Sequence, residues 1–127
     1  MSYADDLLAI ARDHAKGNKT ESNWRTAANR AYYSSFHALL VWEKTLPETG
    51  DAGQAKGEHE QLIQRLCHPA KRCSTDQRQL SLWLAGRLDS LRAVRIVADY
   101  RPDDGFTLEQ AVLACGTAAS ILERVQS

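Results

Sequence analysis

The sequence predicts an all-α protein, a single compact up-and-down bundle of about five helices formed by residues 1–127. Apolar residues recur at intervals of three and four along several segments, whereas no segment shows the persuasive alternation of a strand. Glycine or proline separates most of these segments, and no connection is long enough to divide the chain into two domains.

Composition and charge exclude several classes of protein. Of the 127 residues, 43% are hydrophobic and 25% are charged, and the formal net charge is zero. Zero net charge argues against a protein that coats nucleic acid through a large positive field. No stretch is long and apolar enough to span a bilayer, and the acidic beginning of the chain is unlike a secretory signal. We therefore expect a cytoplasmic protein with no membrane partner.

The three cysteines indicate neither a disulfide framework nor a metal site. They are odd in number and contain no Cys-x-x-Cys pair, so we expect free thiols that are buried or have no chemical role. A zinc site built from Cys67, His68 and Cys73 would lack a fourth ligand and the usual paired spacing. We expect no metal and no cofactor.

The first two helices are predicted from their caps and apolar spacing. The first is capped by Ser2 and runs to about Ala15, and its apolar side is Leu7, Leu8, Ile10 and Ala11. The second begins between Thr20 and Asn23 and ends near Lys44, and its apolar side is Trp24, Ala27, Ala28, Ala31, Tyr32, Ser35, Leu39 and Trp42. Residues 47–57 contain three glycines and a proline without periodicity, so they are predicted to be a mobile connection.

Three further helices follow this connection. A short one covers Glu58 to Cys67 and ends before Pro69. A long one starts at the capping pattern Ser74 to Gln77 and runs to Tyr100. The last starts at a similar pattern from Thr107 to Gln110, and its apolar side is Leu108, Val112, Leu113, Ala118, Ile121 and Val125.

A polar stripe crosses the second helix. Arg30 and His37 are about 20° apart around the helix axis and roughly 10 Å apart along it. Tyr33 and Ser34 lie between them at one-turn spacing, so a cation, a phenol, a hydroxyl and an imidazole are within reach of a single ligand. The alternative is a solvated helix face or a seam between helices with satisfied polar groups. His14, His59 and His68 show no such pattern, and we expect them at the surface.

A second polar stripe lies near the end of the fourth helix. Arg92, Arg95 and Asp99 share one face at intervals of three and four, next to Tyr100. An ion pair between Arg95 and Asp99 would explain two of these residues as a modest structural salt bridge. Alternatively, the paired guanidinium groups hold a phosphate while Asp99 orients one of them.

Together the two stripes resemble the HEPN family of small helical proteins. The matching segments are Arg30-Ala31-Tyr32-Tyr33 with Phe36-His37-Ala38, and Leu91-Arg92 with Arg95-Ile96-Val97-Ala98-Asp99-Tyr100. The resemblance covers nearly the whole chain in helix order and length. It implies a bundle of four or five helices that forms a homodimer. Many family members are metal-independent ribonucleases and toxins paired with a nucleotidyltransferase-like antitoxin, and others are noncatalytic nucleotide-binding or interaction modules.

The chain departs from the pattern of the family's nucleases. Their motif has an arginine, a polar residue and a later histidine on the penultimate long helix, whereas here Ile96 follows Arg95 and Asp99 precedes Tyr100 without a histidine. A histidine can act as general acid or base near neutral pH, but an aspartate paired with arginine stays ionised. The Arg-x-x-Ala-Asp-Tyr form resembles a subgroup of the family.

Two functional hypotheses follow. In the first, the chain is a dimeric, noncatalytic or weakly active partner in a toxin-antitoxin or nucleotidyltransferase-linked system. It binds a partner protein or a nucleotide or RNA phosphate through Arg92, Tyr33, Ser34, Asp99 and Tyr100. In the second, the chain is a metal-independent endoribonuclease in which His37 handles a proton while Arg30, Arg92 and Arg95 stabilise negative charge. Convergence of His37 with two of the arginines would favour the second hypothesis, and an Arg95–Asp99 pair in a buried seam would favour the first.

Overall fold

The computed structural model describes residues 2–126 and confirms the predicted all-α bundle. The helices are α1 (Tyr3–His14), α2 (Glu21–Glu43), α3 (Glu58–Cys67), α4 (Thr75–Tyr100) and α5 (Leu108–Gln126). No strand occurs within the described residues.

Side-chain caps fix where three of the helices begin. The hydroxyl of Ser2 accepts from the backbone N–H of Asp5 at 3.2 Å, and that of Ser74 accepts from Gln77 at 3.1 Å. Thr107 caps α5 in the same way. Each bond satisfies a backbone donor that has no partner within the helix. The predicted helix starts at these three positions are therefore confirmed.

One hydrophobic core joins all five helices, and α2 lies at its centre. α2 packs against α1, α4 and α5, while α3 packs against α4. The side of α2 that the sequence predicts as apolar is largely buried, with Ala27, Ala31, Tyr32 and Leu39 fully excluded from solvent. Burial of this face on three neighbours removes apolar surface from water and thereby favours folding.

The predicted apolar sides of α1 and α5 are partly wrong. Ile10, Val112 and Leu113 are 43%, 52% and 70% exposed. Leu7, Leu8 and Ala11 in α1 and Ala118 and Ile121 in α5 are buried as predicted, and the buried residues that the prediction lacks are Ala4, Ala111, Ala114, Cys115 and Leu122. Alanines line much of both faces because small side chains let helices approach closely, and a search for large apolar residues underweights them.

Contacts with α2 and with the preceding connection hold α3 in the bundle. Glu43 at the end of α2 accepts two hydrogen bonds from Arg65, at 3.0 and 2.6 Å. The connection before α3 passes close to its last turn, where Asp51 N–H donates to the His68 carbonyl at 3.0 Å. A Cβ at Gly50 would lie 1.9 Å from the Arg65 carbonyl oxygen, so only glycine fits this approach. These contacts fix the last turn of α3 against the end of α2 and the connection that precedes α3.

Candidate functional site

Arg95 occupies the centre of a group of polar and aromatic side chains from α2, α3 and α4. Its Nε donates to Asp99 Oδ2 at 3.0 Å, and its Nη2 donates to the Tyr100 hydroxyl at 3.2 Å. The guanidinium carbon lies 5.6, 5.3 and 5.4 Å from the ring centres of Tyr32, Tyr33 and Tyr100. Three aromatic faces and a carboxylate therefore hold one cation, whose side chain is only 11% exposed.

Asp99 connects this centre to α2. Its Oδ2 also accepts from Asn29 Nδ2 at 2.9 Å, and the side-chain Oδ1 of Asn29 accepts from Arg30 Nη1 at 3.0 Å. A polar cleft of about 400 Å³ opens beside these residues, and Asn29, Arg30 and Asp99 are among its lining. Arg30 is thus an exposed cation at the edge of the site, one hydrogen bond away from Asn29.

His59 contributes an imidazole from the first turn of α3. Its Nδ1 forms a 2.7 Å hydrogen bond with the hydroxyl of Tyr32, which is fully buried. The imidazole ring centre lies 5.7 Å from that of Tyr33 and 4.8 Å from that of Phe36. Its Nε2 lies 3.9 Å from Glu58 Oε1, beyond hydrogen-bonding distance. We refer to Asn29, Tyr32, Tyr33, His59, Arg92, Arg95, Asp99 and Tyr100 as the Arg95 cluster.

The surroundings shift the pKa values of two members in opposite directions. Burial lowers the pKa of His59, and the positive charge of Arg95, with a smaller effect of Arg92, lowers it further against the opposing effect of Glu58. Burial raises the pKa of Tyr32 to about 12, although both arginines act in the other direction. At neutral pH the cluster therefore contains a neutral imidazole bonded to a neutral phenol.

Arg92 contains a buried donor that nothing in residues 2–126 satisfies. Its Nε is inaccessible to solvent and has no hydrogen-bond partner in the described part of the chain. An unpaired buried N–H is costly unless an acceptor reaches it. Arg92 lies one turn before Arg95 on α4, so an acceptor that bonds both would be recognised by paired guanidinium groups.

The structure brings together five of the eight residues that the sequence identifies as candidates. Tyr33, Arg92, Arg95, Asp99 and Tyr100 belong to the Arg95 cluster, and Arg30 borders it through Asn29. Ser34 and His37 face α1 instead.

Ser34 is fully buried, and its hydroxyl donates to the Ala4 carbonyl at 2.6 Å. Because its one polar group is used between α1 and α2, Ser34 contributes to helix packing. The His37 ring packs against Tyr3 of α1, with 5.0 Å between ring centres, and lines a largely apolar cleft of about 470 Å³. No hydrogen bond or ion pair within residues 2–126 joins His37 to an arginine, so the convergence that would favour an endoribonuclease centred on His37 is not seen there.

Sequence reasoning missed His59 and Asn29. His59 was expected at the surface, but it is half-buried in the cluster. It belongs to a different helix from the arginines, so no helical spacing relates it to them. Asn29 directly precedes Arg30. Its contact with Asp99 likewise cannot be predicted from their separation in the sequence, because it depends on how α2 and α4 pack together.

Arg25 holds the end of α4 in place beside the cluster. Its guanidinium donates to the carbonyls of Val97 and Ala98 at 3.1 and 3.0 Å. It also donates to three carbonyls beyond the end of α4, those of Arg101, Pro102 and Asp104. The last carbonyls of a helix have no partner within it, so this one side chain acts as a cap supplied by a neighbouring helix. It thereby positions Asp99 and Tyr100.

No model of a known protein family, no curated protein and no solved structure matches the chain. Among residues 2–126, no three His, Cys, Asp or Glu side chains are grouped so that they could hold a metal ion. In the same range, none of the helices is both long enough and apolar enough to cross a membrane.

Proposed function

We propose that this chain is a HEPN-like dimeric helical protein whose Arg95 cluster binds a phosphate group of a nucleotide or RNA. The proposal rests on one observation, the difference between the hydrogen-bond partners of the two guanidinium groups. Arg95 is held by Asp99 and Tyr100, whereas the buried Nε of Arg92 has no acceptor within the described residues. A phosphate oxygen would supply that acceptor once the Arg92 side chain turns its Nε towards the ligand, and arginine pairs suit phosphate because they bind its oxygens with several directed N–H groups.

Aromatic side chains support a nucleotide or RNA over a bare anion. Tyr100 is 66% exposed at the edge of the cluster, and its ring lies against the Arg95 guanidinium. An exposed ring beside a cation offers a base a stacking surface next to the phosphate site. The zero net charge fits recognition at one local site rather than broad electrostatic attraction.

The homodimer and the link to a toxin-antitoxin or nucleotidyltransferase-linked system are proposed from the HEPN resemblance. We propose a nucleotidyltransferase-like antitoxin as the protein partner, with the chain noncatalytic or weakly active by itself. Sedimentation of the purified chain tests the dimer, since a monomer at micromolar concentration would contradict it.

Phosphate binding is tested by fluorescence anisotropy with a labelled, 2′-O-methylated oligoribonucleotide, which cannot be cleaved through its 2′ oxygen. Arg92→Gln and Arg95→Lys should each weaken binding about tenfold or more, because a charged hydrogen bond contributes roughly 1.5–3 kcal/mol. Arg95→Lys keeps the charge and removes the planar fork. The matched control is Arg72→Gln, an exposed arginine outside the cluster. Equal affinities for all four proteins would refute the proposal, provided that circular dichroism shows each to be folded.

A metal-independent endoribonuclease is a second candidate, and the position of His59 favours it. In the tautomer whose Nδ1–H donates to Tyr32, the neutral imidazole of His59 keeps a free lone pair on Nε2, which is suited to accept the proton of an attacking 2′-hydroxyl while the arginines stabilise charge on the phosphate. His59 would then perform the role that the sequence hypothesis gives to His37.

Cleavage of a labelled RNA in EDTA separates these assignments. Cleavage abolished by His59→Gln and retained by His37→Gln would establish an endoribonuclease centred on the Arg95 cluster. The reverse result would establish the His37 assignment. A folded wild-type protein that binds RNA without cleaving it would leave phosphate binding as the function and reject the second candidate.

A further inference from the structure

The hydrogen bond between Tyr32 and His59 is a titratable pair inside the Arg95 cluster. The Tyr32 hydroxyl is fully buried, and His59 Nδ1 is its one hydrogen-bond partner among residues 2–126. A buried hydroxyl is costly without a partner, so the pair holds the imidazole in one orientation.

This hydrogen bond can survive a change in the charge of His59. A neutral imidazole with a free Nδ1 lone pair accepts the Tyr32 proton, whereas an imidazolium donates from Nδ1 to the Tyr32 oxygen. A hydroxyl can both donate and accept, so it reverses its role without moving. His59 Nε2, which lies 3.9 Å from the Glu58 carboxylate, carries an N–H in both of these forms, so the added proton is the one on Nδ1.

The groups that face His59 determine when it takes up a proton. Tyr32 and Tyr33 face it from α2, and burial raises the pKa of Tyr32, so that its phenol is neutral at neutral pH. Glu58 from α3 favours the charged form but is largely exposed to solvent. Arg92 and Arg95 from α4 oppose it. An anion that binds the two arginines offsets their repulsion, so the balance changes in favour of the imidazolium.

Resting on the proposed phosphate site, we propose that His59 is a further binding residue of the Arg95 cluster and that the site binds its phosphate together with one proton. The imidazolium adds a third positive charge next to Arg92 and Arg95, while Tyr32 accepts its Nδ1 proton. Binding and protonation favour each other because each ligand stabilises the form of the site that the other prefers.

The affinity for a phosphodiester should consequently rise as the pH falls. Uptake of one proton changes the dissociation constant by at most about tenfold per pH unit, and only between the pKa values of His59 in the free and the bound protein. A 2′-O-methylated oligoribonucleotide is a suitable probe, because its internal phosphodiesters keep one negative charge throughout this range.

The experiment measures the dissociation constant of that probe between about pH 5.5 and pH 8 at constant ionic strength. We expect the wild type to bind at least fivefold more tightly at the acidic end. His59→Gln should keep the weaker, alkaline affinity at every pH. Tyr32→Phe should move the rise to lower pH, because the charged imidazole loses a stronger hydrogen bond than the neutral imidazole does. His68→Gln, which removes an exposed imidazole at the other end of α3, should behave as wild type.

The outcomes separate this inference from the proposed function. Wild-type protein that binds the probe equally at every pH, or His59→Gln with the wild-type pH dependence, would overturn the inference and leave phosphate binding intact. No binding at any pH would overturn both. NMR titration of the His59 ring protons in wild-type protein, with and without the probe, adds a test that needs no variant. A pKa that rises on binding is expected, and an unchanged pKa would contradict proton uptake.

Discussion

The α2 helix contributes to two clefts that differ in almost every physical respect. The Arg95 cluster on one side contains two guanidinium groups, a carboxylate and an imidazole, with hydrogen bonds from Arg95 and Asn29 to Asp99 and between Tyr32 and His59. The cleft around His37 on the other side is largely apolar and lies between the ends of α1, α2 and α5. Exposed Tyr3 and Val41 line this second cleft.

The difference shows that residues predicted to share one face of a helix need not belong to the same site. Tyr33 and Ser34 are adjacent residues, yet the Tyr33 ring contacts Arg95 and the Ser34 hydroxyl bonds to α1. A turn of about 100° per residue is enough to place them against different neighbours. Whether a polar residue joins a site is therefore decided by which helix packs on its side.

Loss of Arg95 should give the largest contrast between the two regions. Arg95→Met leaves Asp99 and Tyr100 without their shared donor, so we expect the free energy of unfolding to fall by about 2 kcal/mol. Oligonucleotide binding should weaken more than tenfold. His37→Gln, in the apolar cleft, should change neither quantity appreciably. Urea unfolding and anisotropy measure both, and an equal loss in the two variants would contradict the distinction between the clefts.

Removal of Arg25 should affect the Arg95 cluster from a distance. Arg25→Met leaves the carbonyls at the end of α4 without their cap, which should lower the free energy of unfolding by roughly 1–3 kcal/mol. Affinity should fall severalfold although Arg92 and Arg95 are unchanged, because Asp99 and Tyr100 lose their fixed position. Hydrogen exchange of the last turn of α4 should accelerate. Unchanged exchange would show that Arg25 does not hold this turn.

Acidification should destabilise the Arg95 cluster through His59. The pKa of His59 is lower in the folded protein than in the unfolded chain, so the unfolded chain binds more protons at acidic pH. The stability contributed by the neutral imidazole is thus present above the unfolded pKa of about 6.5 and is lost as the pH falls towards the folded pKa. His59→Gln should lose less stability than wild type over this interval. Parallel pH profiles from urea unfolding would contradict the lowered pKa.

Alkaline titration should distinguish Tyr32 from the exposed tyrosines. The pKa of Tyr32 is raised to about 12, above the unfolded value, so the stability contributed by its neutral phenol is complete below about pH 10 and is lost as the pH rises through about 12. Tyr32→Phe removes the bond to His59 and should cost about 1 kcal/mol at neutral pH. Its further loss in alkali should be smaller than that of wild type. Ultraviolet absorbance should show one late-titrating phenol that this substitution removes.

The fold was predictable because its signals are local. Ser2, Ser74 and Thr107 sit three residues before a side chain that completes the cap, and the helices begin where these patterns place them. Apolar spacing likewise identified the buried side of α2. The errors at Ile10 and Leu113 arose where alanines form the buried face, since helix proximity is a property of two helices together.

The candidate site was predictable only where one helix contains it. Arg92, Arg95 and Asp99 share a face of α4, so spacing related them, and the Arg95–Asp99 pair is present. His59 could not be found in this way, because only the packing of α3 on the rest of the bundle brings it to Tyr32. The same absence of tertiary information led the sequence to join Arg30 with His37, which contact different parts of the protein.

The adjacent residues Tyr33 and Ser34 test most closely whether one side of α2 belongs to the Arg95 cluster and the other packs on α1. Tyr33→Leu removes an aromatic face from Arg95 and should weaken oligonucleotide binding a few-fold, since a cation–π contact contributes about 0.5–1 kcal/mol. Ser34→Ala removes a buried hydrogen bond to Ala4 and should lower the free energy of unfolding by about 1 kcal/mol or less without altering affinity. Weaker binding in Ser34→Ala would mean that the α1 side of α2 contributes to the phosphate site after all. Weaker binding in Tyr33→Leu, together with unchanged affinity in Ser34→Ala, would place the boundary of the site between these two adjacent residues.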